Sequence, residues 1–310
     1  MEHHVQSVLQ QWGMAGAPAT LVAQRENHVY RVDHDGQTYA LRLHRPGYRT
    51  AAELISELQW CAHLADQNLH VPRPVADTDG HFLFPIGDTH ASLLTWLSGT
   101  PIGEGTAIAG DSEAVAHRVG EEMARLHDIT DQWQPPQGFT RPDWTCDALI
   151  GEAPLWGDFR AHPDLAQKDL TLLQEAVTAT REDIDLLAID TGLIHADLLA
   201  ENLMVDGDRI GLLDFDDSAI GYRAFELATF LNRYIERPDF DTLRTALCAG
   251  YARRRTIGTQ ELDLALMLRA ITYVGWIVPR RNEPGGEARS KRMVARALRQ
   301  AQSYLNRRPS

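Results

Sequence analysis

Residues 192–217 read Gly-Leu-Ile-His-Ala-Asp-Leu-Leu-Ala-Glu-Asn-Leu-Met-Val-Asp-Gly-Asp-Arg-Ile-Gly-Leu-Leu-Asp-Phe-Asp-Asp. Two apolar runs, residues 203–205 and 210–213, flank the turn signal Asp206-Gly207-Asp208 and should pair as a hairpin. Such a hairpin brings its outer ends together. Asn202 stands just before one strand and Asp214 just after the other, while Asp197 lies on the loop leading in. One amide and two carboxylates should therefore gather at the hairpin's mouth.

That donor set suits phosphoryl transfer. The reaction needs a divalent metal to offset phosphate charge, and hard oxygen ligands to hold it. Asp214 and Asn202 can supply those oxygens. It also needs a carboxylate that orients an attacking hydroxyl and accepts its proton, and Asp197 is placed for that. His195, two residues ahead, is better suited to bonding backbone and holding the loop. Single loop carboxylates are commonly structural. The ordered set H-x-D-x-x-x-x-N, hairpin, D-F-D is far more selective than any of its parts.

Upstream of this stretch the first hundred residues are strand-rich. Residues 29–32 and 38–43 flank His34-Asp35-Gly36 and read as a hairpin. Thr50 and Glu53 form a T-x-x-E capping box ahead of Leu54, Leu58, Cys61 and Leu64 at helical spacing. Two more strands are predicted at residues 81–85 and 91–97. Beyond Ser98-Gly-Thr-Pro101 the pattern turns helical, with a helix capped by Asp111 or Ser112, another over 165–187 and a basic amphipathic one over 290–305. The fold class is α+β: a small strand-rich lobe over residues 1–97 and a larger, mainly helical lobe over 98–310.

Composition narrows the partners. The chain carries 30 Lys and Arg against 43 Asp and Glu, a net charge of −13, which argues against nucleic acid or an anionic membrane as the main partner. No apolar run is long enough to span a bilayer. The start, MEHHVQSVLQQWG, lacks the basic-then-apolar pattern of a secretion signal. The three cysteines, Cys61, Cys146 and Cys248, are far apart and odd in number, which fits a reducing compartment and excludes a cysteine-built zinc site. A cytoplasmic enzyme is expected, and the oligomeric state is left open.

The segments His195-Ala-Asp-Leu-Leu-Ala-Glu-Asn202 and Leu212-Leu-Asp-Phe-Asp-Asp217 resemble the aminoglycoside phosphotransferase and choline kinase superfamily. Phe225-Glu-Leu-Ala228 resembles the D-L-A helix start that follows the family's metal motif, with Glu226 at the usual Asp position. Residues 40–47 and 139–157 resemble the bacterial branch near homoserine kinase type II and the stress-response kinases. The resemblance implies a two-lobed protein-kinase-like fold, ATP and Mg2+, and phosphorylation of a hydroxyl on a small-molecule acceptor. It implies Asp197 as catalytic base and Asn202 and Asp214 as metal ligands. Leu93-Leu-Thr-Trp-Leu-Ser-Gly-Thr-Pro101 resembles the lobe connector, making Thr95–Leu97 the hinge that meets adenine.

Two departures stand out. Arg42 occupies the strand position where the family offers a phosphate-pairing Lys, keeping the charge on a planar fork. The phosphate-covering loop, Gln24-Arg-Glu-Asn-His-Val-Tyr30, has no glycine. Glu57 is the expected partner of Arg42, since Glu53 is used by the capping box and the family's Lys–Glu spacing favours Glu57. On this reading a Lys at 42 should serve nearly as well. Trp144, Trp156, Tyr222 and Trp276 are candidates for an acceptor pocket, and Arg253–Arg255 and Arg280–Arg281 for an anionic acceptor, with core packing and solvated helix faces as the ordinary alternatives. Asp216 and Asp217 either extend the metal motif or bond the following turn. The rival functions are a Ser/Thr protein kinase of the stress-response type and a nucleotide-binding module without turnover. Between Asp214 and the helix start near Phe225 there is no room for a protein-kinase activation segment, which favours a small acceptor.

Overall fold

The computed structural model describes residues 2–24 and 27–308. They form two compact units. The first comprises residues up to Ile102 with Ile129–Arg141 and Glu201–Asp216, and the second Gly103–Asp128, Pro142–Ala200 and the chain from Asp217 onward.

The first unit is built on a six-stranded antiparallel sheet. Ala19–Gln24, His28–His34, Gln37–Leu43 and Thr89–Thr95 run side by side, and Pro74–Val75 and Phe84–Ile86 both pair with Thr89–Thr95. The hairpin of His28–His34 and Gln37–Leu43 turns at Asp35 and Gly36, whose φ values of 50° and 74° match the twist of the flanking strands. One sheet face carries Tyr30, Val32, Leu41, Ala91 and Leu93 into a core completed by Val5, Val8, Leu9 and Trp12. Most of these last residues come from a helix at Glu2–Leu9, which the sequence reading did not include, nor did it include the edge strand Ala19–Gln24.

The helix Ala51–Asp66 starts where its capping box predicts. The Thr50 side chain accepts from the Glu53 N–H at 3.2 Å, and the Thr50 N–H donates to Glu53 Oε2 at 2.8 Å. A second sheet of the unit joins Leu203–Asp206 to Arg209–Leu212 and to Thr100–Pro101, which is why residues 201–216 cluster with the chain's first hundred. Gly207, with φ of 60°, makes the two-residue turn of that hairpin.

The second unit is mainly helical. Its helices are Ser112–Asp131 up to residue 128, Cys146–Ile150, Gln167–Leu187, Arg223–Asn232, Phe240–Tyr251, Thr259–Trp276 and Gly286–Arg307. Asp111 caps the first of them by accepting from the Glu113 and Ala114 N–H groups at 3.0 and 3.1 Å. A small sheet orders Asp143–Trp144, Ala219–Tyr222 and Thr191–Ile194. Gly192 lies in its outer strand against the buried Arg223, where a Cβ would come within 2.1 Å of the guanidinium. Thr259–Trp276 is buried over most of its surface and packs against Arg223–Asn232 and Gly286–Arg307. No described helix is long and apolar enough to cross a membrane.

Candidate active site

In the first unit the site starts from strand alternation. Leu41 points into the sheet's core, so Arg42, its neighbour, emerges on the other face. There it meets Glu57, one turn inside the helix from Glu53. Arg42 Nη1 donates to Glu57 Oε1 at 2.6 Å, and both residues are buried. The second arm of the fork, Nη2, lies 3.8 Å from Asp214 Oδ1 and 3.7 Å from Asp216 Oδ1. Burial works against the charge on Arg42, but Glu57, Asp216 and Asp214 outweigh it and hold the guanidinium ionised. Burial, with Arg42 adjoining, pushes the His44 imidazole down to about 3, and His44 Nε2 shares a hydrogen bond with Ser92 Oγ at 2.9 Å. Arg42 Nη2 and Glu57 Oε2 are buried without a hydrogen-bond partner. Orphaned buried atoms of this kind are uncommon and call for a reason.

Asn202 and Asp214 sit together at the open end of their hairpin, which the Leu213 N–H closes by donating to the Asn202 carbonyl at 2.8 Å. Asp214 holds a left-handed backbone, φ 64°, a conformation that costs a non-glycine residue and persists only where the surroundings impose it. The surroundings do so. Phe215 packs edge-on against Trp60 with centroids 5.2 Å apart. Arg141 donates to the Asp216 carbonyl at 2.6 Å and, through its other arm, to the Glu53 carbonyl at 2.9 Å. Arg49 Nε adds a bond to the Asp216 carbonyl at 3.2 Å. These two arginines tie the Asp214-Phe-Asp segment to the start of the helix carrying Glu57. Neither was singled out from the sequence, because donation to distant carbonyls leaves no spacing signal.

Asp216 is buried beside Arg42, and Asn27 Nδ2 reaches its Oδ2 at 3.4 Å. Arg25 and Glu26 of the expected phosphate-covering loop lie outside the described residues. Among the described residues no three His, Cys, Asp or Glu side chains converge on one metal position. At the expected hinge, the Thr95 and Trp96 N–H groups donate to the carbonyls of Arg73 and Thr38 at 2.8 and 3.1 Å. Leu97 packs over Gly211, where a Cβ would meet it at 2.6 Å.

In the second unit Asp197 lies on a loop held from below. Glu226, buried in the helix Arg223–Asn232, accepts from the His195 N–H at 2.6 Å and from the Ala196 N–H at 3.0 Å. Ala196 takes a left-handed φ of 70°. The Asp197 N–H donates to His195 Nδ1 at 3.3 Å, so the imidazole bonds backbone. Burial pushes the Glu226 carboxyl up to about 8, with the two backbone N–H groups pulling the other way.

Arg269 also meets Asp197. Its Nη2 lies 3.3 Å from Asp197 Oδ1 and donates to the Tyr273 hydroxyl at 2.8 Å. Its guanidinium lies over the rings of Tyr273 and Phe225, at 4.3 and 5.3 Å. The sequence reading passed over this residue. The available signal was a lone Arg inside the apolar run Leu264-Ala-Leu-Met-Leu-Arg-Ala-Ile271.

The other candidates resolve plainly. Trp144 and Tyr222 are core. Arg254 and Arg255 pair with Asp128, Arg255 also with Asp190, and Arg281 grips Asp164 through both carboxylate oxygens.

Residues 19–265 match the phosphotransferase enzyme family, and the chain belongs to it. The homoserine kinase of Brucella abortus (strain S19) is 30% identical over 230 residues, which are 70% of this chain and 64% of that one. The chain thus spans just under two thirds of that relative's length. Among solved structures, the microcompartment-associated aminopropanol kinase is similar with a TM-score of 0.85 at 24% identity, over 99% of this chain and 98% of the other. Amicoumacin kinase hAmiN, solved with AMP-PNP, Ca2+ and Ami, is similar with a TM-score of 0.78 at 18% identity, over 96% and 93%. The fold is the two-lobed, protein-kinase-like α+β fold of these proteins.

Proposed function

We propose that this chain transfers the γ-phosphoryl group of ATP, with Mg2+, to a hydroxyl of a small molecule. The observation that carries the reading is the buried Arg42 fork. One arm is fixed by Glu57, and the other, without a hydrogen-bond partner, faces Asp214 and Asp216. An orphaned cationic donor facing carboxylates suits a phosphate oxygen that arrives together with a divalent cation.

Asp214 and Asn202 are the residues that would hold the metal. Magnesium keeps several waters and takes one or two carboxylates plus substrate phosphates, and Asp214 with the Asn202 amide offers oxygens of that kind. When bound, it supplies charge neutralisation on the β- and γ-phosphates. Arg42 would grip the α- and β-phosphates. The backbone of Leu97, which makes no hydrogen bond among the described residues, would meet adenine. Asp197 would orient the acceptor hydroxyl and accept its proton, on a loop that Glu226 and His195 keep in place. Catalysis would then come largely from positioning and charge neutralisation.

Between Asp214 and the helix Arg223–Asn232 the chain makes only one short turn and the strand Ala219–Tyr222. That supports a small acceptor over a protein. The relatives' names span homoserine, aminopropanol and amicoumacin kinases. The test is a screen of hydroxylated metabolites, antibiotics and a protein substrate mixture for acceptor-dependent ADP release. Release that depends on a small alcohol supports the reading. Magnesium-dependent ATP binding without turnover on any acceptor would make the chain a binding module instead.

A further inference from the structure

Four side chains follow one another along one face of the helix Thr259–Trp276 and the turn Val278–Arg280: Arg269, Tyr273, Trp276 and Arg280. The first three are spaced i, i+4, i+7, which places them on a single stripe. Arg269 lies 4.3 Å over the Tyr273 ring and Arg280 4.3 Å over the Trp276 ring, and the two rings meet edge-on with centroids 6.1 Å apart. One face of each ring is thus covered by a guanidinium group. Arg280 pairs with no carboxylate among the described residues; its Nη1 donates to the Trp276 carbonyl at 3.0 Å. Arg233 lies close enough to act electrostatically on the Tyr273 hydroxyl.

The stripe begins at the proposed base. Arg269 is buried, and its bonds to Asp197 and Tyr273 both use Nη2, while its buried Nε has no hydrogen-bond partner. A guanidinium offers five N–H donors, so most of its donor capacity is unspent. A base must touch the hydroxyl it deprotonates. A group a few bonds from that hydroxyl is therefore within reach of Arg269, whose Nη2 lies 3.3 Å from Asp197. An ammonium there would face the guanidinium of Arg269 and the field of Arg233, with the Asp197 carboxylate, which Arg269 already holds, on the other side of the balance. A carboxylate would find the guanidinium charge and the Nη1 donors, which Asp197 and Tyr273 do not use. The chain's net charge of −13 would suggest a cationic ligand, but the local charges decide a pocket.

We propose that Arg269 determines acceptor specificity by binding a carboxylate carried on the alcohol that Asp197 deprotonates, so that hydroxylated amino acids are accepted over the corresponding amino alcohols. The inference rests on the phosphotransferase reading given above. It is tested with acceptors that differ by the carboxylate alone: serine and ethanolamine, threonine and 1-amino-2-propanol, homoserine and 3-amino-1-propanol. Acceptor-dependent ADP release is measured for each, with the wild-type chain, Arg269→Gln and Arg269→Lys, after thermal melting has checked that each variant is folded.

The wild-type chain should favour the carboxylated member of at least one pair by about 100-fold or more in kcat/KM. Arg269→Gln should collapse that ratio to within about threefold, mainly through KM for the amino acid. Arg269→Lys, which keeps the charge without the fork, should retain an intermediate preference and decides the matter if the Gln variant does not fold. A residue that merely positioned Asp197 would lower kcat on both members alike and leave the ratio unchanged. A wild-type preference for the amino alcohols, or a carboxylate preference that survives Arg269→Gln, overturns the proposal. Turnover of no pair member overturns it too. Phosphorylation of some other alcohol would then leave the phosphotransferase reading standing, whereas phosphorylation of none would remove both.

Discussion

Arg42 and Glu57 form a buried ion pair whose removal should be strongly non-additive. Arg42→Met strips the cation from a carboxylate that is 1% exposed, and an uncompensated buried charge costs about 3–5 kcal/mol. Glu57→Leu should cost less, about 1–3 kcal/mol, because Arg42 still faces Asp214 and Asp216 at 3.8 and 3.7 Å. The double variant removes both charges and fills their space with apolar atoms, an exchange that is often near neutral for the pair itself. What remains is Asp216 without its arginine. The double loss should therefore fall short of the summed single losses by about 2 kcal/mol or more. Urea unfolding followed by tryptophan fluorescence reads this, since Trp60 packs directly on Phe215 of the same unit. Losses that add to within about 0.5 kcal/mol would refute the reasoning and reduce the contact to an incidental one.

The remaining predictions concern chemistry and pH. Arg42→Ala should cost about 2–4 kcal/mol in kcat/KM, the order seen when one preorganised donor to developing charge is lost. From the sequence a Lys could stand in for Arg42 unless the cleft is shaped around the wider guanidinium; the structure spends Nη1 on Glu57 and turns Nη2 toward Asp214 and Asp216. Arg42→Lys should keep the Glu57 contact yet lose roughly tenfold in kcat/KM, as expected when a point charge replaces the second arm that Arg42 turns toward Asp214 and Asp216. Asp214→Ala should weaken Mg·ATP binding in calorimetry while leaving magnesium-free nucleotide binding little changed; equal loss in both would mean misfolding. Glu226, pushed up to about 8 from an ordinary 4.5, binds a proton in the folded state that the unfolded chain has released between those values. Stability from this group is full below about pH 4.5 and should fall by at most about 1.4 kcal/mol per pH unit up to about pH 8. Glu226→Gln should flatten that slope in denaturation curves taken across the window, and an unchanged slope would mean that Glu226 is ionised when folded.

The sequence disclosed whatever had a local cause. The turn at Asp35-Gly36, the capping box at Thr50 and Glu53, and the hairpin after Asn202 each follow from residues a few positions apart, and each is present. The meeting of Arg42 with Glu57 was also readable, since Glu53 was already used by its cap. The N-terminal helix is absent from the sequence reading although Val5, Val8, Leu9 and Trp12 recur at helical spacing. What stayed hidden depends on tertiary arrangement. Arg141 and Arg49 hold backbone carbonyls far away in sequence, and Arg269 becomes informative only once its helix lies beside Asp197.

The central claim, that Asp197 accepts the acceptor's proton in phosphoryl transfer, is tested most directly by one comparison. Acceptor-dependent ADP release is measured for the wild-type chain and for Asp197→Asn, with nucleotide affinity determined alongside. The account predicts unchanged Mg·ATP affinity and a fall in kcat of about 100-fold or more, as for the loss of a positioned base. Normal turnover by Asp197→Asn on an acceptor that the wild-type chain phosphorylates would contradict it.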